Sequence, residues 1–230
     1  MDIVYPPACI CCGELLSKER LHICAICETK ISYLQEPCCL KCGKEIEEDD
    51  REFCSDCSTL SRTFEKGFPV MCYEEPISDS LAKFKYAGKR QYSTYYAKEI
   101  VKKHGRNFYD LGIEALIPVP IHKEKLKKRG YNQAKILATE LGRLLDIPVD
   151  DGIIKRIVNT LPQKELDNKK REENLRNAFI YTGKIVEYKC VLLVDDIYTT
   201  GATIEACTRV LKEQNIRNIY YTSLCIGKGN

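Results

Sequence analysis

Val191-Leu192-Leu193-Val194-Asp195-Asp196-Ile197-Tyr198-Thr199-Thr200-Gly201-Ala202-Thr203 decides the fold. Residues 190–194 form an unbroken apolar run, the kind buried on both faces of a parallel sheet. That strand delivers two adjacent carboxylates, Asp195 and Asp196, to its carboxyl end. A small, hydroxyl-rich turn with one glycine follows, then a helix. Successive backbone N–H groups at such a turn make an anion nest, and the helix N-terminus adds positive potential. Thr199, Thr200 and Thr203 add hydroxyl donors, while Gly201 and Ala202 let an anion approach the backbone. The pattern implies a phosphate on the loop and a polyol or hydrated metal on the acids, with both acids facing ligand rather than core. A helix cap after a buried strand explains one polar residue here, not six in sequence.

Strand and helix signals alternate upstream and downstream of this string. Residues 68–73, 115–119, 152–157, 178–181 and 218–224 read as strands. Residues 92–104, 132–145 and 202–213 read as helices. Pro76 fits the first position of another helix, with Ile77, Leu81, Phe84 and Lys85 at helical spacing and Gly88 as its stop. Such alternation implies an α/β fold, a parallel-rich sheet with helices on both faces. Ligands of these sheets bind at the carboxyl ends of the strands.

The N-terminal quarter follows another logic. Of 14 cysteines, ten precede residue 60. Cys9 and Cys12 form one C-x-x-C, and Cys24 and Cys27 form another. Cys39, Cys42, Cys54 and Cys57 repeat the set thirty residues later, and Pro7 and Gly13 recur as Pro37 and Gly43. This is a tandem repeat of one zinc-ribbon-like unit. Two C-x-x-C knuckles supply the four thiolates of a tetrahedral site, and four thiolates leave no open position for catalysis. The expectation is structural zinc, one or two ions, ligated sequentially within each repeat; single occupancy and interleaved pairing stay open. Cys11 and Cys38 have no partner in this register. His22 could replace a thiolate, but the complete cysteine set makes it a solvent-exposed residue. The start of the chain reads as lacking a secretory signal, and no stretch approaches the roughly 18 apolar residues of a membrane span. A cytoplasmic protein without membrane insertion is expected, where thiols serve metal rather than disulfides.

Of 230 residues, 44% are hydrophobic and 30% charged, which argues against wholesale disorder. The net charge of +3 is uneven: residues 1–60 hold 6 Lys/Arg against 12 Asp/Glu, and residues 61–230 hold 30 against 21. The asymmetry implies two domains, 1–60 and 61–230, with different partners. The acidic first domain is not expected to grip nucleic-acid phosphate.

The 191–203 string resembles the phosphoribosyl pyrophosphate (PRPP) motif of type I phosphoribosyltransferases. Only Tyr198 departs, standing where a small aliphatic residue is usual. Ile117-Pro118-Val119-Pro120 with Arg129-Gly130-Tyr131-Asn132-Gln133-Ala134, and then Arg156, Thr160, Gln163, Arg171, Asn174 and Ala178-Phe179, are similar to the ComF family. A cysteine-rich segment ahead of a phosphoribosyltransferase-like domain is that family's arrangement. The resemblance implies Asp195 and Asp196 on the ribose hydroxyls with Mg²⁺, and Thr199, Thr200, Gly201, Ala202 and Thr203 on the 5′-phosphate. Val119, Pro120, Arg129 and Arg171 would face the pyrophosphate, and the polar residues 160–174 would form a lid. A basic run, His122 with Lys123, Lys125, Lys127, Lys128 and Arg129, follows the Val119-Pro120 turn; its lysines read mainly as a solvated helix end.

That resemblance also implies a role in natural competence and DNA uptake. Single-stranded DNA would bind the basic 61–230 domain, and a competence helicase or strand-loading protein would be a partner. Lys83, Lys85, Lys89 and Arg90 interleave with Phe84, Tyr86 and Tyr92, a weak form of the cation-and-stacking pattern of single-strand binders. Two alternatives remain: an active phosphoribosyltransferase with Mg²⁺ and an unidentified base or amine as acceptor, and a zinc-dependent protein-interaction adaptor. The repeat generates the first prediction. Protein purified under reducing conditions should contain up to two zinc ions per chain, one bound zinc would halve the expectation, and Cys12→Ser should remove the ion of the first set. A zinc-free protein that stays folded in chelator would contradict it.

Overall fold

Side chains of residues 191–194 are all 0% exposed, and the remaining elements are arranged around them. The computed structural model describes residues 7–17, 19–47, 50–158 and 177–227. In chain order these hold α1 (Ala25–Glu28), α2 (Ser55–Thr59), β1 (Gly67–Cys72), α3 (Ile77–Tyr86), α4 (Tyr92–Asp110) and β2 (Ala115–Pro118). There follow α5 (Lys123–Arg129), α6 (Gln133–Leu145), β3 (Ile154–Arg156), β4 (Phe179–Tyr181), β5 (Cys190–Tyr198), α7 (Ala202–Lys212) and β6 (Asn218–Ile226).

Four strands form one sheet in the order β1-β6-β5-β2, and every pairing in it is parallel. Pro118 of β2 lies opposite Val194 of β5, and Asp195 opposite Ser223 of β6. Side chains alternate across a strand, so β5 feeds two cores. Leu192 and Val194 join Leu81, Phe84, Tyr96, Ile100 and Leu137 on the face covered by α3, α4 and α6. Val191 and Leu193 join Ile204, Cys207 and Leu211 of α7, with Phe179 of the β3–β4 hairpin. The chain is therefore an α/β protein with helices on both faces of a parallel sheet.

Helix α4 buries Tyr92, Tyr95, Tyr96, Ile100 and Phe108, a stripe at helical spacing. It runs six residues past the expected end because Gly105 is tolerated within a helix at a cost of about 1 kcal/mol. Helix α5 carries one large apolar residue, Leu126, so no stripe announces it. It is bounded by His122, whose side chain accepts from the Glu124 amide, and by left-handed Gly130 at φ +80°. Pro76 is the N-cap of α3 rather than its first residue.

The cysteine repeat is also a repeat of backbone. The Cys9 amide donates to Glu14 O and the Gly13 amide to Cys9 O; thirty residues on, Cys39 donates to Lys44 O and Gly43 to Cys39 O. Gly13 and Gly43 both sit at positive φ, +86° and +75°, which a β-carbon would oppose. The two ribbons dock on different cores. Cys9, Ile10, Ile23 and Ile31 pack with the α3–α4 face, whereas Leu34, Cys39, Cys42 and Cys54 pack with the α7 face.

Leu193→Ala should cost about 2–5 kcal/mol, since a buried strand collapses poorly around a cavity. Urea unfolding should show a lower midpoint at unchanged slope; a loss under 1 kcal/mol would contradict the two-sided burial.

Candidate functional site

Strand β5 runs on through Tyr198, so Asp195 and Asp196 lie inside the strand rather than beyond it. Strand alternation then turns them to opposite faces, which corrects the expectation that both acids face ligand. Asp196 is 3% exposed. Its Oδ2 pairs with Lys85 Nζ at 2.6 Å, and its Oδ1 accepts from Gln133 Nε2 at 3.4 Å. Burial is the largest single influence on the Lys85 pKa and acts to lower it, but the Asp196 charge, the hydrogen bond to Asp196 and the Asp195 charge together outweigh it and the net shift is upward. Removing one partner of such a buried pair costs about 3–5 kcal/mol. Asp195 is half-buried, and no ion pair is formed by it among the described residues. Its Oδ1 accepts from the Asp196 amide at 2.9 Å. It lies toward Arg156, whose pKa burial lowers on balance while the Asp195 charge acts against that shift.

The turn after β5 brings Thr199, Thr200, Gly201, Ala202 and Thr203 together at the start of α7, as the sequence implies. Gly201 is the N-cap, left-handed at φ +77°. A β-carbon there would overlap the Tyr198 hydroxyl and come within 2.6 Å of its Cζ. The departure at Tyr198 thus has a place: its ring lies under the loop and is 4% exposed. Thr200 O accepts from Arg62 Nη2 at 2.6 Å.

Val119 and Pro120 stand beside the acids, because the Val119 amide donates to Val194 O at 2.9 Å. Asn132 holds this turn by donating from Nδ2 to Val119 O at 3.0 Å, and its Oδ1 caps α6. Arg129 donates to Gln133 Oε1 and lies over the Tyr86 ring, 5.0 Å from its centroid. A relay Arg129–Gln133–Asp196–Lys85 therefore joins α5, α6, β5 and α3. Beside it opens a cavity of about 530 Å³, lined in part by Arg90, Pro120, Lys123, Asn132, Lys135 and Arg156. Arg171 and the lid at 160–174 lie outside the described residues.

Lys85 and Gln133 are site residues whose roles the sequence reading did not assign. The signal for Lys85 was its position on the apolar stripe of α3, because a cation on a buried stripe needs a buried acid. The interleaved cation and aromatic stretch does not form a stacking surface. Phe84 and Tyr92 are core residues and Tyr86 alone of the three is exposed. Lys83 Nζ donates to Cys11 O at 2.5 Å.

The cysteines gather as two sets, Cys9, Cys12, Cys24 and Cys27, and Cys39, Cys42, Cys54 and Cys57, with all four sulfurs of each within 4.8 Å of one another. Sequential ligation is the pairing this geometry allows. Tetrahedral zinc with bonds of about 2.3 Å requires sulfur–sulfur edges of about 3.8 Å. Cys12 and Cys24 stand 3.8 Å apart, and Cys42 and Cys54 3.6 Å apart. Amides turn toward sulfur, Cys24 N to Cys9 Sγ at 3.4 Å and Cys42 N to Cys39 Sγ at 3.5 Å. The residues fit zinc at both sites. Burial pushes the Cys11 thiol up to about 12 and the Cys38 thiol up to about 11, and neither belongs to a set. His22 is also outside them; it is half-buried beside Tyr95, ring centroids 5.9 Å apart, rather than solvent-exposed.

Burial first, and the Asp196 charge second, hold the Asp195 pKa well above its ordinary 3.8. A carboxyl that keeps its proton longer when folded loses stability as pH rises from its unfolded value through its raised folded value. Asp195→Asn should therefore be more stable than the parent at pH 7, and the gap should close as pH falls toward 4. Urea midpoints between those pH values test this; a gap of opposite sign would contradict it.

The double zinc ribbon domain family matches residues 1–58, and the phosphoribosyl transferase domain family matches residues 126–228. Competence protein F of Haemophilus influenzae is 35% identical over 152 residues, 64% of this chain and 66% of that protein. Competence protein ComFC of Bacillus subtilis is 29% identical over 147 residues, 63% of this chain and 57% of that protein. DNA utilization protein YhgH of Escherichia coli is 25% identical over 156 residues, 66% and 68% of the two chains. The match spans less than two thirds of the length of the first two relatives. No helix among the described residues is long and apolar enough to cross a membrane. With two four-cysteine ribbons ahead of a phosphoribosyltransferase domain, and with competence proteins among its relatives, the chain fits the ComF family.

Proposed function

We propose that the chain is a ComF-type protein that binds PRPP at the carboxyl end of β5 and acts in competence or DNA utilisation. The observation that carries this reading is the turn at 199–203, set between a buried strand and the N-terminus of α7, with Asp195 half-buried beside it. The 5′-phosphate would sit on the loop amides, where donors and helix dipole converge. Asp195 would take the ribose hydroxyls, while Asp196, held by Lys85, would fix the strand end behind it. Pyrophosphate would lie toward Val119 and Pro120, with Arg129 and the cations of the adjoining cavity offsetting its charge. Asp195 is the carboxylate open to a hydrated Mg²⁺, and its deprotonation favours such a cation; when bound, Mg²⁺ would offset the charge of the pyrophosphate.

Support for the competence role comes from the names of the relatives, two of them competence proteins and one a DNA utilization protein. Single-stranded DNA and a helicase or strand-loading protein are the partners that role entails. If an acceptor reached C1′, loss of pyrophosphate would create positive charge on the sugar. The excluded water and fixed phosphate contacts would then favour transfer.

Calorimetry with PRPP, with and without Mg²⁺, tests the site. Asp195→Asn should weaken PRPP about tenfold or more, and Gly201→Val should abolish phosphate binding, because its β-carbon meets Tyr198. Ribose 5-phosphate should depend on the loop more than on Mg²⁺. Unchanged PRPP affinity in both variants would remove the reading.

A further inference from the structure

We propose that the second zinc ribbon is the positioning element of the phosphate loop, acting through Tyr221 and Tyr198, and that the first ribbon has no such part. The proposal rests on the reading of residues 199–203 as a phosphate site.

A continuous stack of groups joins the two. Cys42 is a member of the second metal set, and its carbonyl accepts from the Tyr221 hydroxyl at 2.8 Å. The Tyr221 ring lies flat on the Tyr198 ring, centroids 4.7 Å apart and planes 8° from parallel. Phe64 closes the edge of this stack, at 85° to Tyr221 and 5.1 Å from it. Gly67 leaves room for Tyr221, since a β-carbon there would overlap the ring. Its amide donates to Lys41 O, inside the same knuckle, at 2.8 Å. At the other end, the Tyr198 hydroxyl lies directly under Gly201, where no β-carbon could fit.

A second route runs along the chain leaving the ribbon. Arg62 donates to Thr200 O. Thr63 donates from its amide and its hydroxyl to the two oxygens of Glu205, on the first turn of α7, at 2.8 and 2.9 Å. Loop, helix start and ribbon are thus tied at three points. Phe64 and Tyr221 are 0% exposed and Tyr198 4%, so packing fixes the stack and leaves little play. The first ribbon, with the same metal geometry, docks on the opposite core. A phosphate nest gains from donors already in place, and a misplacement of about 1 Å forfeits much of its binding.

The test uses the full-length, zinc-loaded protein. Tyr198→Val removes the ring, Tyr198→Phe keeps it, and Cys57→Ser and Cys12→Ser remove a ligand from the second and first sets. Two quantities are read, amide hydrogen exchange at 199–203 and the affinity for ribose 5-phosphate. Tyr198→Val should retain the parent's zinc content, lose exchange protection at the loop and bind ribose 5-phosphate about tenfold more weakly. Tyr198→Phe should restore most of both. Cys57→Ser should deprotect the loop far more than Cys12→Ser does. If Tyr198→Val fails to fold, Tyr221→Phe, which deletes the bond to Cys42 O alone, should still raise loop exchange. Unchanged loop exchange in Tyr198→Val, or in Tyr221→Phe where that variant replaces it, would overturn the proposal, as would equal effects of the two cysteine variants. A parent that does not bind ribose 5-phosphate would instead remove the phosphate reading, and the exchange data would still decide whether the ribbon positions the loop.

Discussion

A strand buried on both faces must answer every charge it carries, and β5 obeys that constraint. Its side chains from 191 to 194 are wholly apolar and wholly covered, and the first charges come at 195 and 196, still under the helices on the Asp196 side. Even there, alternation continues to act. Asp195 and Asp196 are neighbours in sequence but belong to different sides of the sheet, and each needs its own answer to burial. Asp196 is answered within the chain by Lys85 and Gln133. Asp195 is answered by keeping a proton, or by a ligand that brings hydroxyls or a cation. The site therefore divides into a fixed half and a receptive half along the plane of the sheet.

The ribbons extend the same division. A unit of about thirty residues cannot bury enough surface to fold alone, and two sets of four sulfurs supply a metal centre in place of a core. Docking supplies the rest. The first ribbon meets α3 through Lys83 and Cys11 O, two residues from the lysine that neutralises Asp196. The second meets β6 through Tyr221 and Cys42 O, one stacked ring from the turn at 199–203. Both halves of the site are backed by a metal-centred unit, each on its own face.

The parts legible in the sequence were those governed by local rules. The apolar run, the thirty-residue cysteine register and the glycine at each knuckle depend on neighbours in the chain and can be read from it. The acids could be located but not oriented, because the strand's end at Tyr198 is set by pairing with Cys225 and Ile226 of β6, far along the chain. Helix α5 was hidden because it lies on the surface with a single large apolar residue. Lys85 looked like a partner for nucleic acid because its true partner is more than a hundred positions away. Tyr198 looked like a lapse in a motif because its reason, the Tyr221 ring, is a long-range contact.

The thirty-residue shift maps one ribbon onto the other in ligands, in hydrogen bonds and in the turn at Gly13 and Gly43. It does not map their surroundings. As metal-binding folds the copies are equivalent; as surfaces they have been assigned to different neighbours. A duplication creates that symmetry and assembly breaks it, since the globular domain offers two unlike faces to two like units. Exchanging the copies would keep every thiolate in register and still separate each ribbon from the groups that fit it. Identity of sequence pattern here marks common descent of two parts, not common employment.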